Sequence, residues 1–177
     1  MRVFVTLRLI TVSNFSANTV SRALADKPDI SEETKAVIRE KASQMGYIAN
    51  ALASFLRSGV SRNIAILVGD ISNPNFSVMV KEMQTLLQRR GYNSIIFNTE
   101  EKAAVEKQAI TTSLSQNVDG IILCPAPGGE ENIRFLQMHG KPFVMIGRHF
   151  SGEDASFVIC DDVHGGYAAA RYLLDRG

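Results

Sequence analysis

The sequence predicts a small α-helical unit followed by an α/β unit built on a parallel sheet flanked by helices. Three observations carry that expectation. A length of 177 residues suits one small domain plus one medium domain. Charge divides along the chain: residues 1–62 hold nine Lys/Arg against five Asp/Glu, whereas residues 63–177 hold ten against thirteen. The pattern changes at the same place, from short capped helices to strand-like apolar runs alternating with helical stretches. A composition that is 45% hydrophobic and 21% charged belongs to a folded chain. No apolar run approaches the roughly 20 residues of a membrane span. The opening MRVFVTLRLI lacks a small-residue cleavage site. A cytoplasmic location without membrane partners is expected.

The elements follow in order. Met1–Val12 is rich in β-branched and aromatic residues, which favour strands. Ser16–Ala25 reads as a helix with Ser16 as N-cap. Asp26–Ile30 is a turn, and Ser31 opens a second helix with acids in its first turn and Gly46 at its stop. Val37, Ile38, Ala42 and Met45 should form its apolar face. Asn50–Arg57 is a short helical segment, and Ser58–Ser61 is a linker.

Beyond residue 62, strands are expected at 63–68, 93–97, 118–123, 143–146 and 157–159. Helices are expected at 76–90, 102–115, 130–139 and 164–176. In the first of these, Phe76, Val80, Met83, Leu86 and Leu87 recur at helical spacing. Alternation at this rhythm implies βαβ units with helices on both faces of the sheet.

Nothing in the sequence suggests an enzyme. His139, His149 and His164 are scattered without a paired nucleophile, and His149 reads as an exposed loop residue. Cys124 and Cys160 end strands and read as buried, inert thiols. No Cys/His cluster has metal-ligand spacing, and there is no Walker A or G-x-G-x-x-G loop. No catalytic residue, metal or cofactor is expected.

Short capped helices around a tight turn, in a basic segment, suggest a helix-turn-helix. The residues FSANTVSRAL (15–24) and ISEETKAVIREKASQMGYIANALASFLRSG (30–59) resemble the headpiece of the lactose-repressor family of bacterial transcription regulators. The resemblance runs from about residue 13 to residue 177. It implies a DNA-binding headpiece at 1–49, a hinge helix and linker at 50–62, and the N-terminal subdomain of a periplasmic-binding-protein-like effector core at 63–177. The first helix departs from the family pattern: the usual acidic position is filled by Arg8 or Leu9.

The resemblance also implies roles. The recognition helix would present Ala17 and Asn18 to the major groove with Arg22 one turn on. Asn suits adenine, Arg suits guanine, and Ala offers only apolar contact. Ser16, Thr19 and Ser21 suit phosphates and the cap. In the hinge, Leu56 would be the minor-groove wedge with Ala53 beside it. Tyr47, Asn50 and Arg57 are expected at phosphates.

In the core, Gly69–Phe76 (GDISNPNF) resembles the family's D-x-x-N-P-[FY]-[FY] loop, offering Asp70, Asn75 and Phe76 to an effector. Gly147-Arg148 and Asp161-Asp162…Gly165-Gly166-Tyr167 match two further cleft motifs and add Arg148 and Asp161. Asn98 and Pro125 are secondary candidates. The implied partners are a palindromic double-stranded operator, a small polar effector such as a sugar, and a second copy of the chain.

Two other readings stand beside this one. One is a regulator fragment without function, since the chain would hold only one wall of the effector cleft. The other is a small-molecule binding protein with no DNA role.

Overall fold

The computed structural model describes residues 14–47, 55–56 and 58–177. The expected strand character of Met1–Val12 and the hinge positions Asn50, Ala53 and Arg57 lie outside these residues. The chain divides into two compact units, Met1–Val60 and Ser61–Gly177.

In the first unit, α1 (Ala17–Leu24) and α2 (Glu32–Gln44) pack on each other. Both start as their sequences demand. The Ser16 hydroxyl accepts the Thr19 N–H at 3.1 Å, and that of Ser31 accepts the Thr34 N–H at 3.3 Å, each satisfying a donor the helix cannot. Helix α2 ends at Gly46, whose φ of +64° is open to glycine at little steric cost. Val20 and Ala23 of α1 meet Ile38 and Ala42 of α2, with Phe15, Ile30, Met45 and Tyr47 around them. Val37, expected on this face, stays exposed, and Lys35 is buried in its place. Lysine can do this because its stem packs while its ammonium pairs with Glu32 at 2.6 Å and Asp26 at 3.1 Å.

The second unit is a five-stranded parallel sheet of order β2-β1-β3-β4-β5, from β1 (Asn63–Val68), β2 (Asn93–Asn98), β3 (Gly120–Leu123), β4 (Phe143–Ile146) and β5 (Phe157–Val158). Helices α3 (Pro74–Arg89), α4 (Ala103–Ser115), α5 (Glu130–Met138) and α6 (Asp162–Leu174) connect or follow the strands. Successive residues of β1 point to opposite faces. Ala65 and Leu67 join Ile121, Leu123 and Met145 against α4 and α5, while Ile66 and Val68 meet Val80 and Met83 of α3. Helices therefore cover both faces, as the strand–helix alternation implied. Residues from Phe157 onward are exposed, and α6 buries none of its side chains, leaving Val163, Leu173 and Leu174 in solvent.

Two carboxylate networks, one half-buried and one fully buried, tie the sheet to its loops. Asp119, just before β3, accepts the N–H groups of Ser61 and Arg62 at 2.9 and 2.8 Å. Burial raises its pKa, but these donors outweigh that and hold it below the ordinary carboxylate value. Glu106 of α4 is fully buried and accepts the Ala126 N–H at 2.6 Å and the Asn132 amide at 2.8 Å. There burial dominates and pushes the carboxyl pKa upward.

The strand and helix bounds differ from expectation by small amounts. Val118 precedes β3 because its N–H closes the end of α4 onto Ser113. Cys124 is buried as expected, but Cys160 is exposed, because it lies beyond β5 where no element covers the chain. His149 is half-buried rather than exposed, its ring edge-on to Phe157 at 4.2 Å.

Candidate functional site

In the first unit, α1 turns two kinds of surface outward. Val20 and Ala23 face α2, so the helical period leaves Ser16, Ala17, Asn18 and Ser21 exposed. Thr19 is half-buried and its hydroxyl lies 2.9 Å from that of Ser16. Arg22 sits in the last turn, its guanidinium forked onto Asp29, with Nε 2.8 Å from Oδ2 and Nη2 2.6 Å from Oδ1. The bonded pair raises the pKa of Arg22 and lowers that of Asp29. Asp29 was not singled out in the sequence, because an acid in a turn is common and its partner lies seven residues away. Tyr47 packs half-buried against the helix pair. Leu56, the expected wedge, is 75% exposed on helical backbone.

In the second unit, an open cavity of about 490 Å3 lies beyond the carboxyl ends of β1 and β2, lined by Asp70, Asn73, Phe76, Asn98, Glu100 and Glu101. Open parallel sheets bind ligands beyond the carboxyl ends of their strands, and this cavity lies there. The loop after β1 is shaped by its own side chains. The Ser72 hydroxyl and N–H donate to Asp70 Oδ1 at 2.8 and 2.9 Å, lowering the pKa of Asp70. Asn73 caps α3 by accepting the Asn75 N–H at 3.0 Å, and Pro74 follows at the first helical position. Asn98 Oδ1 accepts the Ile71 N–H at 3.0 Å and braces this loop from β2.

Of the sequence candidates, Asp70, Phe76 and Asn98 line the cavity. Asn75 is exposed and lies outside the lining. Arg148 borders the cavity through Glu101, 3.6 Å away, and donates to the Pro125 carbonyl at 2.6 Å. Asp161 caps α6 by accepting the His164 N–H at 2.9 Å and is not part of the lining. Glu100 and Glu101 were missed. They hold consecutive φ angles of +52° and +53°, a backbone that non-glycine residues seldom adopt and that clusters at binding sites. Their position just past a strand's carboxyl end was the available signal. Among the described residues no cluster of three or more His, Cys, Asp or Glu could hold a metal ion, and no helix is long and apolar enough to cross a membrane.

These arrangements match known proteins. Residues 61–177 match the family of periplasmic binding proteins and the sugar-binding domain of the LacI family. Catabolite control protein A of Staphylococcus epidermidis is 27% identical over 162 residues, covering 92% of this chain and 49% of that protein. The arabinose metabolism transcriptional repressor of Halalkalibacterium halodurans is 33% identical over 121 residues, covering 66% of this chain and 32% of that protein. The structure of the lac repressor dimer bound to operator and the anti-inducer ONPF is similar with a TM-score of 0.80 at 17% identity, covering 96% of this chain and 52% of that one. The chain thus spans about half the length of these relatives, or less. The family match extends over most of the chain and coincides with the second unit, sheet and cavity included; the chain belongs to the LacI family of regulators and their periplasmic-binding-protein-like sugar-binding domains.

Proposed function

We propose that this chain acts in sequence-specific, DNA-binding transcriptional regulation as a repressor, with a small polar effector such as a sugar bound at the cavity beyond β1 and β2. The observation that carries the reading is the pairing of a capped two-helix unit, presenting Ala17, Asn18 and Arg22 outward, with a LacI-type sugar-binding unit on the same chain. Residues 1–49 serve as a helix-turn-helix headpiece, 50–62 as hinge and linker, and 63–177 as the first subdomain of the sensor. The names of the relatives, a transcriptional repressor and an operator-bound lac repressor, support this assignment.

In this reading α1 enters the major groove with Asn18 toward adenine and Arg22 toward guanine. Ser16, Thr19, Ser21, Tyr47, Asn50 and Arg57 meet the phosphates, while Leu56, beside Ala53, wedges the minor groove. The operator is palindromic because the chain works as a homodimer on the cytoplasmic nucleoid. Asp70, Asn75, Phe76, Arg148 and Asp161 hold the effector, joined by Asn98, Glu100 and Glu101. Effector and operator each favour one of two arrangements, so each alters affinity for the other.

Selection from a randomised palindromic duplex library, at several salt concentrations, tests the DNA reading. An enriched half-site is expected, with affinity falling steeply as salt rises. Equal binding to all duplexes would sink it. Arg22→Ala should reduce discrimination at one guanine position by about 1–3 kcal/mol while leaving the other positions unchanged.

A further inference from the structure

The turn between α1 and α2 contains two acids, and their partners are different. Asp26 is taken by Lys35 and Arg39, at 3.1 and 2.6 Å. Asp29 is taken by Arg22 alone among the ion pairs of this turn, through the two parallel bonds described above. Backbone bonds fix the spacing of that pair: the Lys27 N–H reaches the Arg22 carbonyl at 3.1 Å, and the Ile30 N–H reaches the Lys27 carbonyl at 3.3 Å. Ile30 then packs against the cluster that includes Val20 and Ala23. Asp29 is therefore held relative to the end of α1 by the backbone bond of Lys27 on one side and the packed Ile30 on the other.

The bonding leaves a specific edge of Arg22 free of Asp29. A guanidinium has five N–H donors. Asp29 receives one from Nε and one from Nη2, so both hydrogens of Nη1 and the second hydrogen of Nη2 point away from it. That Nη1–Nη2 edge is a fork matched to the O6 and N7 acceptors of guanine. An arginine without such a partner samples many rotamers and loses that freedom on docking. One already braced loses less. The carboxylate has a second effect, since a negative charge close to the DNA backbone opposes docking wherever no base contact compensates.

We infer that Asp29 is the specificity-setting partner of Arg22, positioning its guanidinium edge for a guanine and weakening binding to sites that lack one. This rests on the DNA reading proposed above. The two effects have opposite signs on two measurable quantities, which a purely structural role does not produce.

The test uses the full chain, with wild type, Asp29→Asn and Arg22→Ala compared by duplex-library selection and by titration of a random duplex. Asp29 is half exposed, so Asp29→Asn should fold, and Asp29→Ser serves as a second variant of the same design. Both should raise affinity for random duplex and lower guanine preference about ten-fold at the Arg22-dependent position alone. Preference unchanged at that position, or sharpened there, would overturn the inference. So would a loss spread evenly over all positions, which marks mere distortion of the headpiece. If wild type enriches no site, the DNA reading falls and this inference with it. An enriched wild-type site that Asp29→Asn leaves intact removes the role of Asp29 only.

Discussion

Asp26 shows how a single exposed side chain can organise a small unit. Its Oδ1 is shared by the ammonium of Lys35 and the guanidinium of Arg39, and these bonds, Lys35 first, hold its pKa below the ordinary 3.8. A carboxyl whose folded pKa is depressed contributes stability above its unfolded pKa and loses it as pH falls through the folded value. Amide exchange in α1 and α2 should therefore quicken as pH drops below 3.8, after correction for intrinsic rates. Asp26→Asn should flatten that dependence. An identical pH profile in the variant would show that Asp26 is not the group responsible. The effect should be modest and weakened by salt, because the pair is solvent-screened. None of this was legible at the residue scale. Asp26, Lys35 and Arg39 are ordinary turn and helix charges until the fold brings them together, and the same holds for Asp29 with Arg22.

At the scale of elements, caps and periodicity were readable and loop bracing was not. Ser16, Ser31 and Gly46 each act where the sequence placed a helix boundary, and Asn73 caps a helix that starts at Pro74, ahead of the expected 76. These signals are local: a hydroxyl or amide bonds a backbone N–H two or three residues away, so spacing alone reveals it. The network of Glu106, Asn132 and Ala126 spans separations of 20 and 26 residues and has no local signature. It makes a prediction at Gly129. That residue has φ −90°, which any residue can adopt, yet a Cβ there would lie 2.8 Å from Glu106 Oε1 and 2.9 Å from the Ala126 carbonyl oxygen. Gly129→Ala should thus cost about 1–3 kcal/mol through crowding rather than through backbone strain. Urea unfolding of the α/β unit measures it, and an unchanged midpoint would mean that the loop yields freely. The candidate cavity divides in the same way. Asp70 and Phe76 came from a contiguous motif, whereas Glu100 and Glu101 enter because β2 pairs beside β1.

Across the whole molecule, the two units keep separate cores. Ile38 belongs to the α1–α2 cluster, and Ile66 lies between the sheet and α3. Both are fully buried. Ile38→Ala should destabilise the first unit by about 2–5 kcal/mol, and Ile66→Ala should do the same to the second. Hydrogen exchange resolved by segment distinguishes them: each substitution should raise exchange in its own unit. Equal acceleration in both units from either variant would refute the partition.

Local sequence specified the order of elements, the N-caps at Ser16 and Ser31, the parallel α/β character of the second unit and the family to which the chain belongs. Those properties depend on period, capping and contiguous motifs, all of which are short-range. Packing in three dimensions selects which acid holds Arg22, buries Lys35 rather than Val37, and brings the carboxylates that complete the cavity. Each of those outcomes is a meeting of residues distant along the chain or a choice between neighbours on one helix. The degree of burial then sets the consequences: desolvation is outweighed by the donors at half-buried Asp119 and prevails at fully buried Glu106.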